Sequence, residues 1–409
     1  MRVLCFAIAE RGHTNPLLPS LQRLQRAGHD VVVAAADVVD VPAGITFSLL
    51  QANAPLQKRV TRGAAFAERL RDAAWLAQWI EALLLDPVDA FVPVCVSAIE
   101  AHRPDVVMLD PMFYAAVIAS MQLRTPWVAV SSSLNPATPA QWTTALTSTM
   151  KRLASRREQL WRSRGLEPPL FRVADALSPL ATIAFSTADY IGGDVDGVHL
   201  VGAPFSVDDC ASRDAAVAFD VERLQPGPRV FVSFGSQAFF QPRLFGRVFA
   251  EARTRGMQVV ASVGDLVDDA TFMASVPAGS IVQRFVPQLL VLPHVDLVIT
   301  HGGANSVVET LWMGKPLVVL PLCNDQPLQA AFVRRAGVGA VVDAASGDVD
   351  ERALHVAVTG AFSCAARAKQ VGERFRRLDG PARVVEIVEA VVDPPVDPPL
   401  IALPGAVRS

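Results

Sequence analysis

The sequence predicts an α/β protein of two domains, each built on a parallel sheet, from three observations. Residues 2–9 are a nearly unbroken apolar run, residues 17–27 carry a helical apolar face ended by Gly28, and residues 31–35 are apolar again; together they make a βαβ unit. Residues 294–326 read as strand, tight turn, helix, strand and loop. Between the two, residues 206–228 are polar, acidic and Ala-rich and end in Gln-Pro-Gly-Pro, the marks of an interdomain linker.

A chain of 409 residues can bury two cores, and 51% hydrophobic with 19% charged residues describes a globular protein. The net charge of −3 and the lack of any Lys/Arg run argue against nucleic acid and leave a small molecule as the expected substrate. Cys5, Cys95, Cys210, Cys323 and Cys364 are scattered and lack CxxC spacing, so neither a disulfide framework nor a zinc site is expected, and a reducing cytoplasm fits. The first apolar run is too short for a signal peptide. Asp86 and Asp89 interrupt the Leu-rich stretch near residue 84, and no membrane span is expected.

In the first domain, the loop at residues 10–15 follows the first strand, and Asn15-Pro16 reads as the cap and first position of the next helix. Ligands of open parallel sheets bind at the carboxyl ends of strands, which marks out His13 from an ordinary solvated histidine. His29, after the glycine stop, is expected to pack or face water. Residues 53–102 are helical and Ala-rich; Trp75 and Trp79 share a helix face, which with Phe66 reads better as core than as a binding wall. The strand at 106–109 ends in Asp110, costly there unless paired or facing a cleft, with a turn-capping role before Pro111 as the plainer alternative. Met112 and Phe113 follow. The strand at 127–130 ends in Ser131-Ser132-Ser133, hydroxyls at the same sheet edge. Arg152, Arg156 and Arg157 read as a solvated helix face. Strands at 181–186 and 199–201 complete the domain, and glycine-flanked Asp194-Val195-Asp196 reads as a turn, so no metal site is expected.

The second domain opens with a strand at 229–234 running into Gly235-Ser236, a backbone cradle for a diphosphate ahead of a helix at 242–255. Strands at 258–263 and 280–283 continue the sheet. After the strand at 297–300, His301-Gly302-Gly303 turns directly into a helix; its exposed N–H groups, at the positive helix end and beside glycines, suit phosphate, and His301 can donate to the anion. Asn305, Ser306 and Glu309 lie near one helix face, while Val308, Leu311 and Trp312 pack. The Glu309 carboxylate can accept from sugar hydroxyls. A second loop, Asn324-Asp325-Gln326, brings another carboxylate and an amide. Further helices run to about residue 391, and the Pro-rich end reads as extended or disordered.

Pro287-Gln288, His301-Gly302-Gly303, Asn305-Ser306, Glu309, Gly314-Lys315-Pro316, Pro321 and Asp325-Gln326, taken as a set, closely resemble the nucleotide-sugar signature of family 1 glycosyltransferases, the group that includes bacterial antibiotic glycosyltransferases. The resemblance implies the GT-B fold, two Rossmann-like domains whose parallel sheets face across a cleft: an acceptor-binding domain at 1–205, a linker at 206–228, a nucleotide-sugar-binding domain at 229–391 and a tail at 392–409. It further implies that His13, in a GHxxP element, is the catalytic base and Asp110 its hydrogen-bonded partner. Ser236, His301 and the backbone from Gly303 to Ser306 would meet the diphosphate, Glu309 the ribose, and Asp325 with Gln326 the transferred sugar. Phe285 stands where the family places a tryptophan that stacks on uracil, which leaves uridine and thymidine both open. The region of Phe66, Trp75 and Trp79 would lie beside the acceptor, with Met112, Phe113 and Ser132 as further candidate contacts; His294 is read as structural.

The implied reaction is inverting, metal-independent transfer from a UDP- or dTDP-sugar to a hydroxyl of a hydrophobic natural product, with the nucleotide sugar as co-substrate and no other cofactor. The alternatives are a nucleotide-sugar epimerase on the same architecture and a non-catalytic donor-binding auxiliary protein. A dehydrogenase is disfavoured, because no GxGxxG follows Ala9. The sugar, the acceptor and the oligomeric state are left open.

Overall fold

A computed structural model describes residues 1–52, 62–212 and 217–393. Its strands, in chain order, are β1 (Arg2–Ala7), β2 (Asp30–Ala35), β3 (Thr46–Leu49), β4 (Val106–Leu109), β5 (Trp127–Ser131), β6 (Phe171–Arg172), β7 (Asp175–Ala176), β8 (Ala181–Ala184), β9 (Val198–Leu200), β10 (Arg229–Ser233), β11 (Gln258–Ser262), β12 (Ile281–Gln283), β13 (Leu297–Thr300), β14 (Leu317–Val319) and β15 (Gly339–Val341). Seven of them pair in parallel in the order β3-β2-β1-β4-β5-β8-β9, and six more in the order β12-β11-β10-β13-β14-β15; β6 and β7 form a separate antiparallel pair. The central strands are apolar throughout because both faces are covered: Val3, Leu4, Cys5 and Phe6 of β1 are all buried.

Each sheet reverses its strand order once, between β1 and β4 in the first and between β10 and β13 in the second. These are the switch points at which successive loops diverge and leave a crevice at the strands' carboxyl ends. Phe6 pairs with Leu109 at one and Ser233 with Thr300 at the other, so the loops beyond these residues emerge side by side.

Several local expectations change. Asn15 does not cap the second helix: residues Arg11–Thr14 wind into a helical turn of their own, Asn15 ends that turn, and Leu17 precedes the helix Leu18–Arg26. Gly28, at φ 88°, does serve as the stop. Arg157 is not a solvated residue. It is buried, donates to the Val173 carbonyl at 2.7 Å and lies over the Phe171 ring at 3.8 Å, filling the space beneath the β6–β7 hairpin. The 206–228 segment contains the helix Val207–Ser212 and a short turn at Val221–Arg223. All but the first two residues of the 392–409 tail lie outside the described residues.

The last helix, Gly380–Val392, returns to the first sheet, which a domain boundary at 391 does not anticipate. Its Val384 and Val388 pack with Leu17, Leu21 and Leu24 over β1, while Arg23 pairs with Asp379 at 3.0 Å and His29 with Glu389 at 2.8 Å. The halves also meet elsewhere. Trp142 sets its ring 4.7 Å from that of Phe332, Phe205 packs edge-on to Trp312, and Asp189 pairs with Arg367 and Arg374.

Among the described residues, Ala73–His102 is the one stretch long and apolar enough to cross a membrane. It is two helices, Ala73–Leu84 and Val88–His102, and Leu76, Trp79, Ile80, Phe91 and Cys95 are buried in the protein's own core.

A side-chain carbon added at Gly380 would lie 1.9 Å from the Ala203 carbonyl oxygen, so this glycine permits the last helix to seat. Gly380→Ala is expected to destabilise by about 1–3 kcal/mol, as overpacking does. Thermal melting together with hydrogen exchange in residues 380–392 tests it; an unchanged melting temperature would refute the role given to this contact.

Candidate active site

A cleft of about 840 Å³ runs between the two switch points and is walled by both halves. From the first sheet it receives the loop after β1 with His13 and the loop after β5 with Ser132; from the second come Gly235 and Ser236 after β10, His301 and Gly303 after β13, and the loop carrying Asp325 after β14.

Asp110, at the end of β4, is 1% exposed. Its Oδ1 accepts the Met112 N–H at 3.0 Å, and its Oδ2 lies 2.7 Å from His13 Nδ1. The carboxylate therefore both shapes its turn and holds the imidazole. Ser132 Oγ also reaches Nδ1, at 2.9 Å. With the Nδ1 hydrogen directed at Asp110 and Ser132, the lone pair resides on Nε2, and the ring is 24% exposed along the cleft wall. Burial opposes protonation of this ring, but the charge and hydrogen bond of Asp110, helped by Asp325 and Asp175, outweigh it and raise the His13 pKa.

The opposite wall is built on close approach. A side-chain carbon at Gly235 or at Gly303 would meet His301 Nε2 at 2.5 or 2.6 Å, so the imidazole edge sits against two backbone segments that only glycine leaves open. Gly235 also takes φ 76°, which favours glycine on its own account. His301 is 9% exposed, and burial, partly opposed by a bond to the Ser233 backbone, lowers its pKa to about 4. The ring is neutral at ordinary pH, and its single N–H is engaged by the Ser233 backbone. Gly303 precedes the helix Ala304–Trp312, whose first turn lines the cleft with Ala304, Asn305 and Ser306 and leaves its N–H groups without helical partners.

Glu309 is buried on that helix and accepts from Gln288 Nε2 at 2.6 Å. Phe285 lies close by on the cleft wall, and the Arg11 guanidinium of the first half covers its ring at 5.2 Å. Asn305 Nδ2 donates to the Gly12 carbonyl at 3.0 Å, so the loop carrying His13 rests on the second half at two points.

Asp325 lines the cleft, and its pKa is raised by burial, against the opposing influence of a backbone bond and the His13 charge. Gln326 is turned into its own loop. Its Oε1 accepts the N–H groups of Leu322 and Cys323 at 2.8 and 3.0 Å, which makes it a brace of the loop before it is a ligand contact.

Three expected contacts do not reach the cleft. Phe66 is fully buried and packs against Trp75 and Trp79, Trp75 belongs to the same stack, and Pro287 only precedes the helix Gln288–Val291. Trp79, Met112 and Phe113 do line it, at an apolar end shared with Ile80, Leu84, Val88 and Phe91. Those four carry only the ordinary signal of a core helix face. Asp175 is the larger omission: a fully buried carboxyl whose charge favours the protonated His13, on a short hairpin strand that no periodicity marks. Asp194 and Asp196 lie in a glycine-rich surface turn.

Residues 229–375 match the Glycosyltransferase family 28 C-terminal domain. The UDP-glucosyltransferase YojK of Bacillus subtilis, itself described as uncharacterized, is 30% identical over 166 residues, which span 40% of this chain and 40% of that protein. Demethyllactenocin mycarosyltransferase of Streptomyces fradiae is 25% identical over 410 residues, 95% of this chain and 86% of that protein. The chain has the GT-B fold and is similar over most of its length to glycosyltransferases of bacterial natural-product type. The fold is shared with the spinosyn rhamnosyltransferase SpnG, whose complex with thymidine diphosphate has a TM-score of 0.70 at 20% identity, covering 95% of this chain and 100% of that one. Its complex with spinosyn aglycone gives 0.71, also at 20% identity, over 95% of this chain and 100% of that one. The family description attaches to the second half alone, where this GT-B chain carries its glycine-flanked histidine and Glu309.

Two titrations follow from this geometry. His301, held neutral, stabilises the glycosyltransferase fold by roughly 3 kcal/mol above pH 6.5, and that contribution disappears as pH falls toward 4. His301→Gln should flatten the pH dependence of stability in that window; a slope equal to that of the parent would contradict the buried neutral ring. His13 has the opposite sign: its raised pKa gives stability that is full below the ordinary histidine value and lost as pH rises through the folded one. Asp110→Asn should lower the His13 titration midpoint seen by NMR, and an unmoved midpoint would contradict the pairing.

Proposed function

We propose that this chain is an inverting glycosyltransferase that moves a sugar from a UDP- or dTDP-linked donor to a hydroxyl of a hydrophobic small molecule without a metal ion. The observation that carries the reading is the placement of the His13–Asp110 pair and of the glycine-flanked His301 turn on opposite walls of one cleft.

The acceptor hydroxyl, held in the apolar end near Trp79, Met112 and Phe113, gives its proton to His13 Nε2 as its oxygen bonds to the anomeric carbon. The bond from that carbon to the diphosphate oxygen breaks on the far side. Asp110 keeps the imidazole in the required tautomer and stabilises it once charged; a general base of this kind contributes about 10²- to 10⁴-fold to rate. Negative charge that grows on the diphosphate is met by the N–H groups at Gly303 to Ser306 and by Ser236, with the neutral His301 packed between the two turns, and each well-placed donor of this type is worth roughly 3 kcal/mol in the transition state.

Glu309, steadied by Gln288, receives the ribose hydroxyls, and Phe285 offers a face for the nucleobase. Asp325 stands nearest the transferred sugar, with Gln326 acting mainly through the loop. The thymidine diphosphate and aglycone bound by SpnG support a nucleotide and a hydrophobic acceptor as the two ligands here.

UDP or dTDP, added in EDTA at about a hundred times its dissociation constant, should stabilise the protein by about 2.7 kcal/mol, and the more effective of the two identifies the base. Stabilisation only with Mg²⁺ would overturn metal independence. His13→Ala should cut transfer by about 10²- to 10⁴-fold with nucleotide affinity close to the parent's, whereas Glu309→Ala should weaken nucleotide binding in a folded protein. Normal turnover in the first, or unchanged binding in the second, would remove that residue's role.

A further inference from the structure

Asp175 is 0% exposed, and among the described residues no cation is paired with it. Such a carboxyl is costly to bury, and its two oxygens are spent on one loop: Ser131 Oγ donates to Oδ2 at 2.5 Å and Asn135 Nδ2 to Oδ1 at 2.7 Å. Ser131 Oγ also accepts the Ser133 N–H at 3.2 Å, and Ser133 Oγ accepts that of Asn135 at 3.1 Å. Between Ser131 and Ser133 stands Ser132, whose hydroxyl lies 2.9 Å from His13 Nδ1.

The hairpin that presents Asp175 is fixed from three sides. Tyr114 donates its hydroxyl to the Ala174 carbonyl at 2.5 Å, Arg157 donates to Val173, and the Ala176 N–H reaches the Pro111 carbonyl at 3.1 Å, next to Asp110. One buried strand thus ties together the two loops, 110–113 and 131–135, that hold the imidazole.

We propose that Asp175 is a positioning residue of the transfer reaction, which anchors the 131–135 loop so that Ser132 and Asp110 together fix the His13 ring. This rests on His13 being the base. The anchor also acts through charge. Burial, opposed by the bonds from Ser131 and Asn135 and reinforced by the charge of Asp110, pushes the Asp175 carboxyl up to about 7. The titratable and charged groups around it are Asp110, His13, Tyr114 and Arg157, while His13 also faces Glu10 and, across the cleft, Asp325. When Asp175 ionises it favours the protonated imidazole; when it is neutral that support is withdrawn. The Asn135 amide oxygen is buried without a hydrogen-bond partner, and a turned-over amide would accept from a neutral group at position 175, so an amide there can be accommodated.

Asp175→Asn and Ser132→Ala, compared with His13→Ala, test this through donor-saturated kinetics and NMR titration of His13. Asp175→Asn should lower kcat about tenfold or more while KM for the donor stays within about twofold, and should move the His13 midpoint to lower pH. Ser132→Ala should lower kcat in the same way with the buried carboxyl still in place. If Asp175→Asn does not fold, Ser131→Ala decides on the same readouts. Unchanged kcat and an unmoved His13 midpoint in Asp175→Asn, alongside an inactive His13→Ala, would overturn the role of Asp175 alone. Transfer retained in His13→Ala would overturn the base and this proposal with it.

Discussion

The hydrogen bond between His13 Nδ1 and Asp110 Oδ2 is the interaction on which the site depends. It exists because β1 and β4 are neighbours at the point where the strand order reverses, so that two loops separated by about a hundred residues of chain emerge side by side. A carboxylate that is 1% exposed would be expensive on its own. Its bonds to the Met112 amide and to the imidazole satisfy it and give the ring a fixed orientation. The same topology is used again in the second half, where β10 and β13 bring the Gly235 and His301 turns together.

The two switch points use opposite electrostatics. At the first, carboxyl groups surround a histidine and hold its affinity for a proton high, which suits the role of base proposed for it. At the second, backbone and apolar side chains surround a histidine and keep it neutral. A neutral imidazole between two glycines can lie close to an anion that is also served by a helix terminus, with no fixed charge to be desolvated. The halves are held in register by contacts away from the chemistry, notably the last helix on the first sheet and Trp142 on Phe332, and by Arg11 and Asn305 at the cleft itself.

What was legible in the sequence is what strand ends and punctuation reveal. The apolar run into His13, the strand into Asp110 and the strand into His301-Gly302-Gly303 each place a polar residue at a carboxyl end; His13 and His301 line one cleft, and Asp110 is buried behind His13. Long-range packing was not legible. Arg157 resembles its solvated neighbours in pattern, yet the aromatic space beneath a hairpin further along the chain makes it a buried clamp. Phe66 and Trp75 read better as core than as a binding wall from their helical spacing, and their edge-on packing bears the core reading out. Asp175 lies on a strand too short to have a period, and its importance appears only when Ser131, Ser132 and His13 are brought together. Gln326 lines the cleft, and its side-chain oxygen also accepts backbone N–H groups of its own loop, which no side-chain motif displays.

The central claim is a single displacement, with the base on one wall and the leaving diphosphate on the other. The most direct measurement is the anomeric configuration of the product, read from the coupling at the anomeric proton by NMR after transfer from a donor of known linkage. Inversion is expected, an α-linked donor giving a β-linked product. Retention would contradict it, since it would require a second displacement or front-face attack for which His13, Asp110 and the His301 turn are wrongly placed.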